Sequence, residues 1–153
     1  MLACAYTPTV AICLLGALTS ASLPIAAESI VMPDGIAVVA LPAAPRASGP
    51  IYLDVQIGAY TPPLRGAVDA IVVLASGGRE TEIGRITVFP NVAFTAKVGE
   101  PGRSYRFNVT SAIAASVAGG PLELRVRLVP IDPNVPITGA QMTVRSAEFR
   151  ATP

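Results

Sequence analysis

Leu122, Leu124, Val126 and Leu128 alternate with Glu123, Arg125 and Arg127, the clearest period-two pattern in the chain. Such alternation predicts a strand with one face on a core and one in water. The same pattern predicts strands at Ile51 to Ile57, with Tyr52, Asp54 and Gln56 outward, and at Tyr105 to Val109, with Arg106 and Asn108 outward. Ala67 to Ala75 is apolar on both faces except at Asp69, as expected of a central strand covered on both sides. Shorter apolar runs at Ser29 to Met32, Ile36 to Leu41, Ile83 to Phe89 and Val92 to Val98 read as further strands. In the last of these, Phe94, Ala96 and Val98 are expected inward. Gln141 to Phe149 closes the series, with Met142 and Val144 inward and Thr143 and Arg145 outward. Phe149 departs from that alternation, which fits a bulge near Ser146.

Turn chemistry punctuates these runs. Pro33-Asp34-Gly35, Ser76-Gly77-Gly78 and Glu100-Pro101-Gly102 are turns, the second a hairpin turn. Pro42 to Pro50 and Ile131 to Gly139 are Pro-rich loops, and Gly58 to Gly66 reads as an exposed loop with Tyr60 near its tip. One short helix is expected after Asn108-Val109, capped by Thr110 or Ser111, with Ile113 and Val117 on its inner side and Gly119-Gly120 as its stop. About eight or nine short strands with regular turns predict an all-β fold, an antiparallel β-sandwich with one short helix. Residues 28–153 form a single domain, long enough for a real core.

The first 27 residues contain no charged side chain. Thr9 to Leu18 is an apolar run of signal-peptide length, followed by small residues and by Ile25-Ala26-Ala27 before Glu28. Residues 1–27 therefore read as a signal peptide cleaved after Ala27, and the mature chain as exported, periplasmic or extracellular. A retained anchor is the competing reading and the only route to a membrane; the run is short for a span. Both cysteines, Cys4 and Cys13, fall in that segment, so the mature chain would hold no disulfide and no thiol nucleophile.

Composition narrows the chemistry. The chain is 52% hydrophobic and 14% charged, with 11 basic and 10 acidic residues, so no basic face points to nucleic acid. It has no histidine. Copper and zinc centres and Ser-His-Asp triads lean on imidazole, so no catalytic, cofactor or metal residues are assigned and the chain reads as a non-enzyme. Glu80 and Glu82 are the only close carboxylate pair in the mature chain, without the spacing motif of a hydrolase. Asp132-Pro133-Asn134 offers loop oxygens but reads as a Pro-bounded turn rather than a calcium site. There is no Trp; Tyr52 and Tyr60 are the aromatic side chains expected at the surface, whereas Phe89, Phe94, Tyr105 and Phe107 read as core.

From Ile51 onward the order of features resembles the C-terminal β-sandwich domain of tyrosinase and polyphenol-oxidase-like copper proteins. The matching residues are Ile51-Tyr52-Leu53-Asp54-Val55, Ala70 to Leu74, Ile83 to Phe89, Phe107-Asn108-Val109-Thr110 before the helix, Leu122 to Pro130, and Ile137 to Phe149. In that family the sandwich binds no copper; it packs on the helical copper domain and shields the active-site mouth in latent forms, sometimes with an aromatic placeholder. The copper domain is missing here. The resemblance implies a freestanding sandwich that acts through protein contacts as an accessory or shielding subunit of a copper oxidase. It points to Tyr60, with Pro62, Pro63 and Tyr52, as the candidate partner contact. The alternative is a carbohydrate or cell-envelope binding module using Tyr52 and Tyr60.

Overall fold

A computed structural model describes residues 28–46, 48–116 and 120–151. The expected signal peptide, both cysteines, and Val117 and Gly119 of the expected helix lie outside the described residues. Among the described residues nine strands and one helix follow in the order β1 (Ser29–Val31), β2 (Ala37–Leu41), β3 (Ile51–Thr61), β4 (Val68–Ser76), β5 (Arg79–Thr87), β6 (Phe94–Thr95), β7 (Arg103–Asn108), α1 (Thr110–Ala114), β8 (Leu122–Pro130) and β9 (Gln141–Ala151). All pairings are antiparallel. One sheet runs β1-β9-β3, with β6 and β7 sharing the far edge of β3; the other runs β2-β8-β4-β5. The protein is an all-β antiparallel sandwich.

The core lies between the inner faces. Leu53, Val55, Ile57 and Val144 from the first sheet meet Val72, Leu124 and Val126 from the second, all fully buried. Except for Val72, on a strand apolar on both faces, these are the residues that alternation had turned inward. The outer face of β4 is also buried at Ile71, Val73 and Ala75. No helix lies over it among the described residues. In register, Arg85 and Arg127 flank Ile71, and Glu82 and Arg125 flank Val73, so aliphatic stems of charged side chains supply the second cover.

β3 continues to Thr61, through the first half of the stretch expected to be a loop, and residues 62–66 remain a loop. Opposite each other, β3 and β9 each accommodate one extra residue. Gln56 faces Ser146 and Ile57 faces Val144, which leaves Arg145 unpaired; Ala59 then faces Thr143, which leaves Gly58 unpaired. The first irregularity is the bulge foreseen near Ser146, and it returns Ala147 and Phe149 to the inner side. The second turns Tyr60 inward. A Cβ on Gly58 would stand 3.1 Å from Arg145 Nε, so the bulge is tight enough to favour glycine. At the β4–β5 hairpin, Gly77 and Gly78 both have positive φ (56° and 79°), as a two-residue primed turn requires.

Several expectations change. The strand at Val92 to Val98 shrinks to two residues, and Val98 is fully exposed rather than inward. Phe89 lies beyond the end of β5 and is 87% exposed, not core. The helix starts at Thr110 without a side-chain cap, because the N-cap position falls on Val109, which has no side-chain acceptor; the Thr110 hydroxyl instead accepts from Ile51 N (2.9 Å) and donates to Asn108 Oδ1 (2.8 Å). Ala112 is its buried residue, with Ile113 partly buried.

Candidate functional site

Four connections meet at one end of the sandwich: residues 32–36 between β1 and β2, 62–67 between β3 and β4, 88–93 between β5 and β6, and 131–140 between β8 and β9. They are tied together. Leu64 N donates to Thr138 O (3.1 Å) and Ile131 N to Ala67 O (3.1 Å). Asn91 Nδ2 donates to Gly66 O (3.0 Å). The first and last connections share a cleft of about 740 Å³, walled by Met32, Pro33, Leu128, Pro133, Pro136 and Ile137.

This end is apolar where it meets water. Of nine exposed large hydrophobic residues among the described ones, six lie on these connections: Met32, Ile36, Leu64, Phe89, Val92 and Ile131. The charged residues there are Asp34, Arg65 and Asp132 alone. Asp132 is occupied locally, since Asn134 N (2.9 Å) and Nδ2 (3.1 Å) both donate to its Oδ1. Exposed large apolar side chains concentrated at one end of a fold mark a candidate interaction site.

The four residues assigned to partner contact part company. Pro62 is half-buried and Pro63 buried, both within this loop end. Tyr60 is 1% exposed, so it is not the tip of a loop and presents no ring to a partner. Its role is internal: Tyr60 Oη donates to Asn91 Oδ1 (2.7 Å), and Asn91 in turn holds Gly66. Burial raises the phenol's pKa, which keeps it a donor. The Phe94 ring lies 6.3 Å away and tilted, with the Arg103 guanidinium 4.0 Å above it. Tyr60 thus positions the loop end from within.

Tyr52 lies elsewhere, half-buried on the polar outer face of the first sheet, between Asn108 and Arg150 in register. Next to it, Arg106 donates from Nε and Nη2 to both Asp54 oxygens (2.6 and 2.8 Å), and Arg150 Nε stands 3.8 Å from Oδ2. These hydrogen bonds, aided by the two positive charges and opposed by desolvation, hold Asp54 below the usual aspartate value of 3.8. A depressed carboxylate stabilises the fold above its unfolded pKa, and that contribution is lost as pH falls through the folded one. Asp54→Asn is therefore expected to lose less thermal stability than the native chain between pH 7 and pH 3, measured by melting at both pH values.

Glu80 and Glu82 are each ion-paired to a different arginine. Arg125 Nη1 lies 2.5 Å from Glu80, and Arg85 Nε 3.0 Å from Glu82. No group of three or more His, Cys, Asp or Glu residues capable of holding a metal occurs among the described residues.

Sequence reasoning put Leu64 and Ile131 in loops without marking them as an apolar surface, and read Phe89 as core and Met32 as part of a strand. A signal was present: each adjoins a proline, at Pro63, Pro90, Pro33 and Pro130. Proline cannot donate to a ladder, so a large apolar neighbour at a strand end is turned into the loop rather than into the sheet.

Fold and site together define a β-sandwich with one apolar, proline-stiffened loop end. No family model, curated protein or solved structure matches the chain.

Proposed function

We propose that this chain is a non-catalytic, exported β-sandwich that works by protein contact through its loop end, as an accessory or shielding subunit of a tyrosinase-like copper oxidase. The supporting observation is the exposure of Met32, Leu64, Phe89 and Ile131 on connections at one end of the sandwich, where an open cleft lies beside Met32. The resemblance of Ile51 to Phe149 to the tyrosinase-associated sandwich supplies the class of partner. Burying these side chains against the oxidase excludes substrate or aids assembly. Prolines at 33, 62, 63, 90, 133 and 136 limit the loop freedom lost on binding. A stable complex of this kind buries on the order of 1,200–2,000 Å² in total.

The test uses the chain as bait in the exported fraction of its host. A copper-bearing protein is expected at near-equal stoichiometry. Leu64→Asp combined with Phe89→Asp is expected to abolish its capture, while surface substitutions of this kind leave stability within about 0.5 kcal/mol. Unchanged capture by the double variant refutes the loop end as the contact. Retention of polysaccharide with no protein favours the carbohydrate or envelope module, which with Tyr60 buried rests on Tyr52.

A further inference from the structure

The two lateral sides of the sandwich differ in how their strand edges are guarded. On one side, β5 carries Arg79, Glu80, Glu82 and Arg85 and bulges at Ile83, and β7 carries Arg103 and Arg106. Charge and bulges of this kind keep an edge from pairing with another chain. On the other side, β1 and β2 are the end strands of their sheets. From Ser29 to Pro45 the sole charged residue is Asp34, in the turn. β1 has only three residues, but β2 has five and, among the described residues, pairs only with β8. The core is also open here. The inward residues of β2, Val39 and Leu41, are only partly buried, whereas their β8 partners Leu124 and Leu122 are buried. Val38 and Ala40, on the outer face of β2, are exposed.

We propose that the free edge of β2 is a homodimer seam. Two copies pair β2 with β2 antiparallel about a two-fold axis at Val39, joining their four-stranded sheets into one of eight. The register suits a second copy. Val38 then faces Ala40 of the other copy, and Ala40 faces its Val38, so the seam brings no charges opposite each other. One strand further back, Val38 is paired with Arg125 and Ala40 with Glu123. Each row across the dimer therefore ends in an arginine on one copy and a glutamate on the other. Pro33 and Pro42 bracket the seam and limit its length. Closing it covers Val39 and Leu41.

Sedimentation of the protein as purified is expected to give the mass of two chains, falling to one on dilution. Val38→Lys with Ala40→Lys sets like charges opposite each other twice across the seam and is expected to raise the dissociation constant about tenfold or more. Val38→Lys with Ala40→Glu sets opposite charges in the same places and is expected to restore the dimer. Both positions are exposed, so at concentrations where the native protein is a single chain the variants should melt as it does, while at higher concentrations the native protein gains stability from the seam that the lysine variant lacks. A single-chain mass at all concentrations overturns the proposal, as does a dimer indifferent to the paired lysines. Failure of the lysine-glutamate variant to dimerise overturns the register at Val39. Neither variant touches Leu64 or Phe89, so loss of the seam and loss of oxidase capture are read separately.

Discussion

Tyr60→Ala is expected to remove about 3–5 kcal/mol of stability, the range for deleting a buried aromatic side chain. That is a large part of the 5–15 kcal/mol that holds a typical domain together. The cost has two sources. Tyr60 is the largest of the fully buried side chains, and its loss leaves a cavity against Phe94 and Met142. It also strips Asn91 of its hydrogen-bond donor, which frees the link from Asn91 to Gly66. Tyr60→Phe separates the two sources. It keeps the ring and removes only the hydroxyl, for about 1–2 kcal/mol. Urea unfolding of the three proteins measures both steps. The phenylalanine variant should also capture partner less well than its stability predicts, because the loop between β3 and β4 has lost an internal anchor. Equal capture by native and phenylalanine proteins would show that the Asn91 link does not position the loops.

Gly102→Ala is expected to cost about 3 kcal/mol or more, enough to unfold a marginal variant at growth temperature. Gly102 has φ of +76°, where an L side chain is strained by roughly 1–2 kcal/mol. A Cβ there would also collide with the carbonyl oxygen of Ile57 and approach the Cα of Gly58 to 3.3 Å. Both are backbone atoms at the β3 bulge, so no rotamer change relieves the contact. The strain would fall on the pairing of Ile57 with Arg103, where β7 begins. Gly99 is the control. Its φ is +87°, but a Cβ there meets open space. Gly99→Ala is therefore expected to show the conformational cost alone, about 1–2 kcal/mol. Thermal melts of the two variants should differ by the collision.

The places where the strand reading stopped short are informative. Ile51 to Ile57 was legible because its alternation is strict, and it ended at Ile57 because Gly58 interrupts the period. The strand itself does not end there. The bulges at Gly58 and Arg145 lie on facing strands and restore the ladder, so β3 runs to Thr61 and Tyr60 points inward. On β9 the same device was visible, since Phe149 revealed the shift in period; on β3 Tyr60 stands out of phase in the same way, but Gly58 before it and Pro62-Pro63 after it read as a loop, so the shift was not taken for a bulge. Val92 to Val98 shows the opposite case. Its alternation is adequate, but only Ala59 and Tyr60 are available to pair with it, because β7 occupies the rest of that edge of β3.

What the amino-acid order determined by itself was everything set by local chemistry. Period-two burial, turn glycines and prolines were sufficient for the strand inventory, the hairpin at Gly77-Gly78, the single short helix and the sandwich class. Absent histidine removed the imidazole-based sites. Only the tertiary structure decided which surfaces face outward. Phe89 and Leu64 are as apolar as the core residues, and their exposure follows from the gathering of four distant connections at one end. The unguarded edge at β2 likewise depends on which strands lack a neighbour. Burial is a property of the assembled layers, so a side chain's own polarity cannot reveal whether another layer arrives to cover it.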